Sequence, residues 1–207
     1  MNAPAGLFLA KMIRPETEQP VSGSSLRVSV ERTDANAIEA VANGTSVGVQ
    51  LALNVGGMLI AFVGMVALLN FVIGWAGGFV HLPGVTLQAI LGTALRPLAW
   101  VMGVPWADTA YVGSLMGVKT VLNEFVAYAQ FAGDLAAGRA PISPRSAVIA
   151  AYALLGFANF GTIGIEIGGL GGLAPTRRRD IARFGLRAML AGNLAAFLSA
   201  TLAGMML

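Results

Sequence analysis

From Val47 to Trp75 the chain runs for 29 residues without a charged side chain. About 20 apolar residues suffice for an α-helix to cross the hydrocarbon core of a bilayer. The run ends in Trp75, followed by Gly77 and Gly78, as expected where a helix reaches the interface. The rest of the chain agrees with a membrane setting. Hydrophobic residues make up 56% and charged residues 11%, whereas an ordinary soluble domain is about 25% charged. That is too little polar side chain to cover a water-facing globule, so intrinsic disorder is excluded and a soluble enzyme is disfavoured. With no Cys and a single His, disulfide frameworks, thiolate nucleophiles and His-based metal sites or triads have little to build on. His81, beside Leu82 and Pro83, reads as a solvated interface residue. The cations are scattered or gathered in one loop, which makes nucleic acid a poor partner.

The organisation follows from where polar residues interrupt the apolar ones. Residues 1–46 read as a short apolar stub over 1–12, too short to span, then a solvated loop and an amphipathic surface helix over Thr33–Asn43. Residues 47–75 are the first full span. Residues 82–103, interrupted by Pro83, Arg96 and Pro97, read as an interfacial helix. Residues 104–140 are apolar but carry Asp108, Lys119, Asn123, Glu124 and Asp134. Each central charge in one lipid-exposed helix costs about 2.5–3.5 kcal/mol. A re-entrant hairpin packed inside protein avoids much of that cost, and Gly113, Ser114 and Gly117 suit a close approach of its arms. Residues 146–173 hold seven Gly, predicting a broken span. Residues 184–207 are the final span. With this topology Lys11, Arg14, Arg27, Arg32 and the loop Arg177, Arg178, Arg179 and Arg183 share one side. Arg96, Arg139 and Arg145 lie opposite, so the first group is cytoplasmic by the positive-inside rule.

Ionisable groups inside such segments are functional candidates. In the first set, Lys119 and Asn123 are four apart and share a helix face, while Glu124 shares one with Thr120 and Tyr128. Glu124, amid apolar residues, is a candidate for direct substrate or proton contact. Lys119 reads first as a residue that pairs with a carboxylate and fixes the fold. In the second set, Asn159, Thr162 and Glu166 form one polar stripe on an apolar helix. Two roles fit that stripe equally: binding a neutral solute rich in hydroxyls together with Glu124, or hydrogen bonding between helices. Asn54 and Asn70 read as packing or hydrogen-bonding groups. The stretch Gly169–Ala174 fits a dinucleotide fingerprint only in letters. No strand precedes it, Pro175 follows it, and no acid lies about 20 residues on.

The segment Gly117-Val-Lys119-Thr-Val-Leu-Asn123-Glu124-Phe125-Val126-Ala127-Tyr128 resembles the G-x-K-x-x-x-N-E-F-V-A signature of the concentrative nucleoside transporters. Gly156-Phe157-Ala158-Asn159-Phe160, Ile167–Leu170, Leu173-Ala174-Pro175 and Arg177-Arg178 look like the span that follows it in that family. Pro15–Glu18 and Leu51–Asn54 match as well. The resemblance covers nearly the whole chain and only the family's C-terminal half, with residues 1–12 looking like the end of the span before that half.

The resemblance implies an all-α integral membrane fold with interfacial helices, about three spans and one re-entrant hairpin, the second inverted-repeat half of a nucleoside transporter. It implies a multi-pass protein of the cell (inner) membrane and a homotrimer, with nucleoside and Na+ or H+ as transported partners. Glu124 would take the ribose hydroxyls, Asn159 and Thr162 would support them, and Phe157 would flank the sugar, with Asn123, Lys119 and Glu166 as possible support. Family members usually carry Ser at the position of Thr162 and Gln at that of Glu166. The family's nucleobase-contacting first hairpin and the unwound helix that completes its sodium site have no counterpart in these residues. Sodium is therefore expected to bind mainly in an N-terminal half, and no cofactor is expected. The function expected is ion-coupled, sodium-driven nucleoside symport, with this chain supplying the ribose-binding half. The competing readings are a non-transporting remnant or assembly subunit, and a small transporter acting as a homodimer. No nucleophile–base pair suggests an enzyme.

Overall fold

A computed structural model describes residues 2–17, 35–79 and 84–207. Every regular element among them is helical: α1 Asn2–Ile13, α2 Ala37–Phe79, α3 Leu87–Val101, α4 Thr109–Val121, α5 Glu124–Ala136, α6 Pro144–Leu154, α7 Phe160–Leu173 and α8 Arg178–Met205. His81, Arg27, Arg32 and the start of the expected 33–43 helix lie outside the described residues.

The surface helix and first span expected on either side of residue 47 are one continuous helix of 43 residues, α2. Its start is fixed by a reciprocal cap. Glu39 N–H donates to Asn36 Oδ1 at 2.9 Å, and Ala35 N–H donates to Glu39 Oε2 at 2.7 Å. No Pro interrupts the helix before residue 47, and the Thr45 hydroxyl folds back onto the Val41 carbonyl at 2.7 Å rather than diverting the chain. Large apolar side chains such as Ile60 and Phe71 stand bare on its surface. Ile60–Phe79 and Pro175–Met205 are each long and apolar enough to cross a bilayer.

The helix expected within residues 82–103 is α3. The Asn70 side chain ties its start to α2, accepting from Leu87 N–H at 2.8 Å and donating to Gln88 Oε1 at 2.9 Å. Beyond α3 the chain turns through Gly103, whose φ of +97° favours glycine, and enters α4. α3 and α4 pack backbone to backbone. A Cβ on Gly117 would stand 2.4 Å from the Gln88 carbonyl oxygen, and one on Gly113 would stand 2.6 Å from that of Gly92. The small residues of α4 therefore do not serve the approach of the hairpin's own arms, as the sequence suggested, but the approach of the first arm to α3. The arms are joined instead by Tyr111, whose hydroxyl donates to Asp134 Oδ2 at 2.8 Å and whose ring lies 6.5 Å from that of Phe131. Pairing the start of α4 with the end of α5 makes the two helices an antiparallel hairpin.

Asp108 closes the base of that hairpin. Its Oδ2 accepts from Ser143 N–H and Ser143 Oγ, each at 3.0 Å, and from Ser146 Oγ at 2.5 Å. Ser143 is the N-cap of α6, so one buried carboxylate joins the entry of α4 to the entry of α6. Replacing Asp108 by Ala strands these donors at a cost of about 2–3 kcal/mol. The expected result is a thermal midpoint in detergent lowered by roughly 5–10 °C; an unchanged midpoint would remove the clamp from the fold's support.

The broken span is α6 and α7, separated by residues 155–159. The break is not where the glycines are densest. Gly161–Gly172 is helical, and the helix uses these residues for close packing: a Cβ on Gly164 would lie 2.3 Å from the Phe62 ring of α2. The break falls at Gly156, held at φ +103°. α8 begins at Arg178, six residues before the expected span. Its first turn holds the Arg177–Asp180 pair at 2.7 Å, so the charged row is the head of the helix rather than a loop. α1 lies against α8, where the Ser199 hydroxyl donates to Asn2 Oδ1 and Arg14 sits over the Phe184 ring. The apolar core gathers Val112, Leu115, Met116, Ile149, Leu154 and Phe197 from α4, α6 and α8.

Candidate functional site

Two helix starts meet in the described fold, and each is made by an Asn. Asn123, with extended backbone, caps α5 by accepting from Val126 N–H at 2.8 Å. Asn159, also extended, caps α7 by accepting from Thr162 N–H at 2.9 Å. Asn is among the strongest N-caps because its side-chain oxygen satisfies a helix-start N–H that has no intrahelical partner. Caps of this kind let both membrane segments break without leaving donors bare.

The caps also place the charged group. Glu124 is the first residue of α5, where the positive end of the helix dipole favours a carboxylate. Asn159 uses its remaining hydrogen-bonding arm on it, Nδ2 donating to Glu124 Oε2 at 3.2 Å. Asn159 is 2% exposed, so this contact lies inside the protein. Glu124 is half-buried, and no hydrogen bond to its second oxygen is among those observed.

Between α7 and α8 is a cavity of about 420 Å³, whose lining includes Ala158 and Thr162, on either side of Asn159, but neither Asn159 nor Glu124. Phe157, Ala158, Thr162, Glu166, Phe184 and Met189 are among the residues that line it. Phe157 presents a ring that is 58% exposed. Thr162 is 8% exposed, and its hydroxyl oxygen is buried without a hydrogen-bond partner among the described residues. Such a group carries a cost, and reaching a ligand in the cavity would take a rotation of the side chain. Glu166, also in the wall, is exposed.

The predicted site residues thus fall into three places. Glu124, Asn159 and Asn123 are brought together at the two helix starts. Phe157, Thr162 and Glu166 line the cavity alongside. Lys119 lines neither place: it is fully buried, with its ammonium on the Ala153 carbonyl at the end of α6. Two readings based on helical spacing fail here. Lys119 and Asn123 share no helix face, and neither do Thr120 and Glu124, because the hairpin turns at Leu122 and Asn123 and each pair is split between α4 and α5. The expected carboxylate partner of Lys119 is also not found: among the described residues it forms no ion pair. Its ammonium instead donates to Asn193 Oδ1 at 2.8 Å. Asn193 went unremarked in the sequence. The signal was present, since it is an amide in the middle of the apolar run of α8, and it invited the same reading as Asn159.

Residues 1–204 match the family described as Na+ dependent nucleoside transporter C-terminus. The chain belongs to this family. It is similar to the Uncharacterized transporter YutK of Bacillus subtilis, at 50% identity over 206 residues, which are 99% of this chain and 50% of that protein. It is similar also to the Nucleoside permease NupC of Helicobacter pylori, at 46% identity over 208 residues, 99% of this chain and 49% of that one. Among solved structures, CNTnw in an intermediate state superimposes with a TM-score of 0.86 at 44% identity, covering 100% of this chain and 49% of the other. The chain spans about half the length of the curated relatives it matches. Its fold is therefore the all-helical one shared with CNTnw, and its family is one of transporters, not an enzyme class.

Proposed function

We propose that this chain supplies the ribose-binding half of an ion-coupled nucleoside symporter. The observation that carries the reading is the junction of Glu124 and Asn159 at the two capped helix starts. A ribose offers two neighbouring hydroxyls, and one carboxylate can accept from both. Asn159 holds that carboxylate from behind. The uncommitted Thr162 hydroxyl offers both a donor and an acceptor, and the exposed Phe157 ring provides an apolar face for the sugar.

In this reading α4 and α5 form a re-entrant hairpin. The spans are α2, the broken pair α6–α7, and α8, in a multi-pass arrangement in the inner membrane with the arginine-rich head of α8 in the cytoplasm. The helix breaks place polar backbone only where protein or a hydrated cavity surrounds it. Na+ is the coupling ion, in keeping with the family description. The base contacts and most ion ligands come from an N-terminal half, and the assembly is a homotrimer. Coupling requires that ion and nucleoside each favour the other's binding.

The test is uptake of radiolabelled uridine into vesicles. The chain alone and the chain joined to an N-terminal half are compared, each with and without a sodium gradient. Sodium-driven uptake is expected only from the joined form; uptake of that kind by the chain alone would overturn the half-site reading.

A further inference from the structure

Lys119 is the largest fully buried side chain among the described residues, at 0% exposure. It stands in the last turn of α4, just before the hairpin turn. In direct contact its ammonium meets only neutral oxygen and aromatic carbon, while the Glu124 carboxylate acts on it through space without forming an ion pair. Nζ donates to Asn193 Oδ1 at 2.8 Å and to the Ala153 carbonyl at 3.3 Å, and it lies 5.3 Å from the centroid of the Phe197 ring. Asn193 is held in turn, its Nδ2 donating to the Ala158 carbonyl at 2.9 Å and to the Met189 carbonyl at 3.1 Å.

The two carbonyls define what is being held. Ala153 is in the last turn of α6, where carbonyls lack intrahelical partners and the helix dipole is negative. Ala158 is the residue before Asn159. The ammonium therefore reaches one lip of the α6–α7 break directly and the other through Asn193, while anchored on the hairpin's first arm. A buried charge without a contact ion pair costs stability, and an apolar residue of the same volume would avoid that cost. An amide oxygen, a helix-end carbonyl and an aromatic face together make a donor set suited to a monovalent cation, and here the chain fills it with its own side chain.

We infer that Lys119 is a positioning residue: a tethered cation that, through Asn193, holds residues 155–159 in the shape that presents Asn159 to Glu124. The effect on nucleoside affinity rests on the proposed ribose site; the effect on the break does not.

The test uses the chain joined to an N-terminal half. In Lys119→Met, amide hydrogen exchange across residues 155–162 should rise at least about tenfold, while α3 and α4 keep their protection. The KM for uridine should rise by a similar factor with little change in maximal rate. In Lys119→Ala, millimolar propylammonium, which replaces the atoms removed, should restore both protection and KM. Asn193→Asp keeps an acceptor for the ammonium but loses the donor to Ala158. It should loosen the same residues, and it decides the matter if the Lys119 variants do not assemble. Unchanged exchange at 155–162, or loosening spread evenly over all helices without rescue by the amine, would overturn the inference. If exchange responds while Glu124→Gln leaves KM unchanged, the ribose-site reading fails and the holding of the break stands.

Discussion

Exchanging Glu124 for Gln is expected to lower the ratio of maximal rate to KM for uridine roughly 30- to 150-fold in the joined assembly, with normal insertion. The substitution keeps shape and volume, and it keeps an acceptor for Asn159. It removes the negative charge that makes hydrogen bonds from sugar hydroxyls strong, a difference of about 2–3 kcal/mol for a charge-assisted pair. It also replaces one acceptor oxygen by an N–H₂ donor, so that one of the two hydroxyls can no longer donate there and must turn to accept. Glu124 sits at the positive end of α5, so a small loss of helix stability accompanies the change. That loss appears in thermal melting, and the substrate effect appears in uptake. Wild-type uptake by the variant would remove Glu124 from the site.

The second large effect is structural. Gly117→Val should lower the thermal midpoint by about 10 °C or prevent assembly, through overpacking of about 3 kcal/mol. The reason is what the new atoms would meet. A Cβ at Gly117 stands 2.4 Å from the Gln88 carbonyl oxygen and 2.8 Å from the Gly92 nitrogen, and these are backbone atoms of α3 that cannot rotate away. At Gly133, on α5, an added Cβ would meet nothing within 4 Å. There Gly→Ala should be neutral or stabilising by about 0.5–1 kcal/mol, because Ala loses less backbone freedom on entering a helix. Equal melting of Gly117→Val and wild type would mean that α3 and α4 are not in close register.

The sequence was most legible where one physical demand dominates. An uncharged run of 29 residues leaves little choice but a long apolar helix, and α2 contains it. Glu124 and Asn159 stood out as polar groups in apolar segments, and the fold brings them within 3.2 Å of each other. What was not legible came from contacts between segments distant in sequence. Seven glycines over residues 146–173 predicted a broken span without saying where it breaks; Phe62 of α2 fills the space beside Gly164, the helix runs on through the later glycines, and the break falls at Gly156. Helical spacing placed Lys119 and Asn123 on one face because Asn123 was taken as the interior of one helix rather than as the cap of the next. The partner of Lys119 is 74 residues away on α8. A buried cation looks for oxygen of any kind, and a search confined to carboxylates passes over an amide.

The glycine seam between α3 and α4 bears on how the fold can deform. Two helices whose main chains interlock cannot slide past one another by part of a turn, since each carbonyl lies in a notch that a displacement would close. Sliding would have to be preceded by separation, and the apolar surfaces on both sides resist that. α3 and the first arm of the hairpin are thus a single stiff lever, and Asn70, through its two hydrogen bonds, is the pin that joins the lever to α2. Any displacement that carries Glu124 along with α4 must swing α3 by the same angle, so a probe on α3 would register motion at the site without touching it.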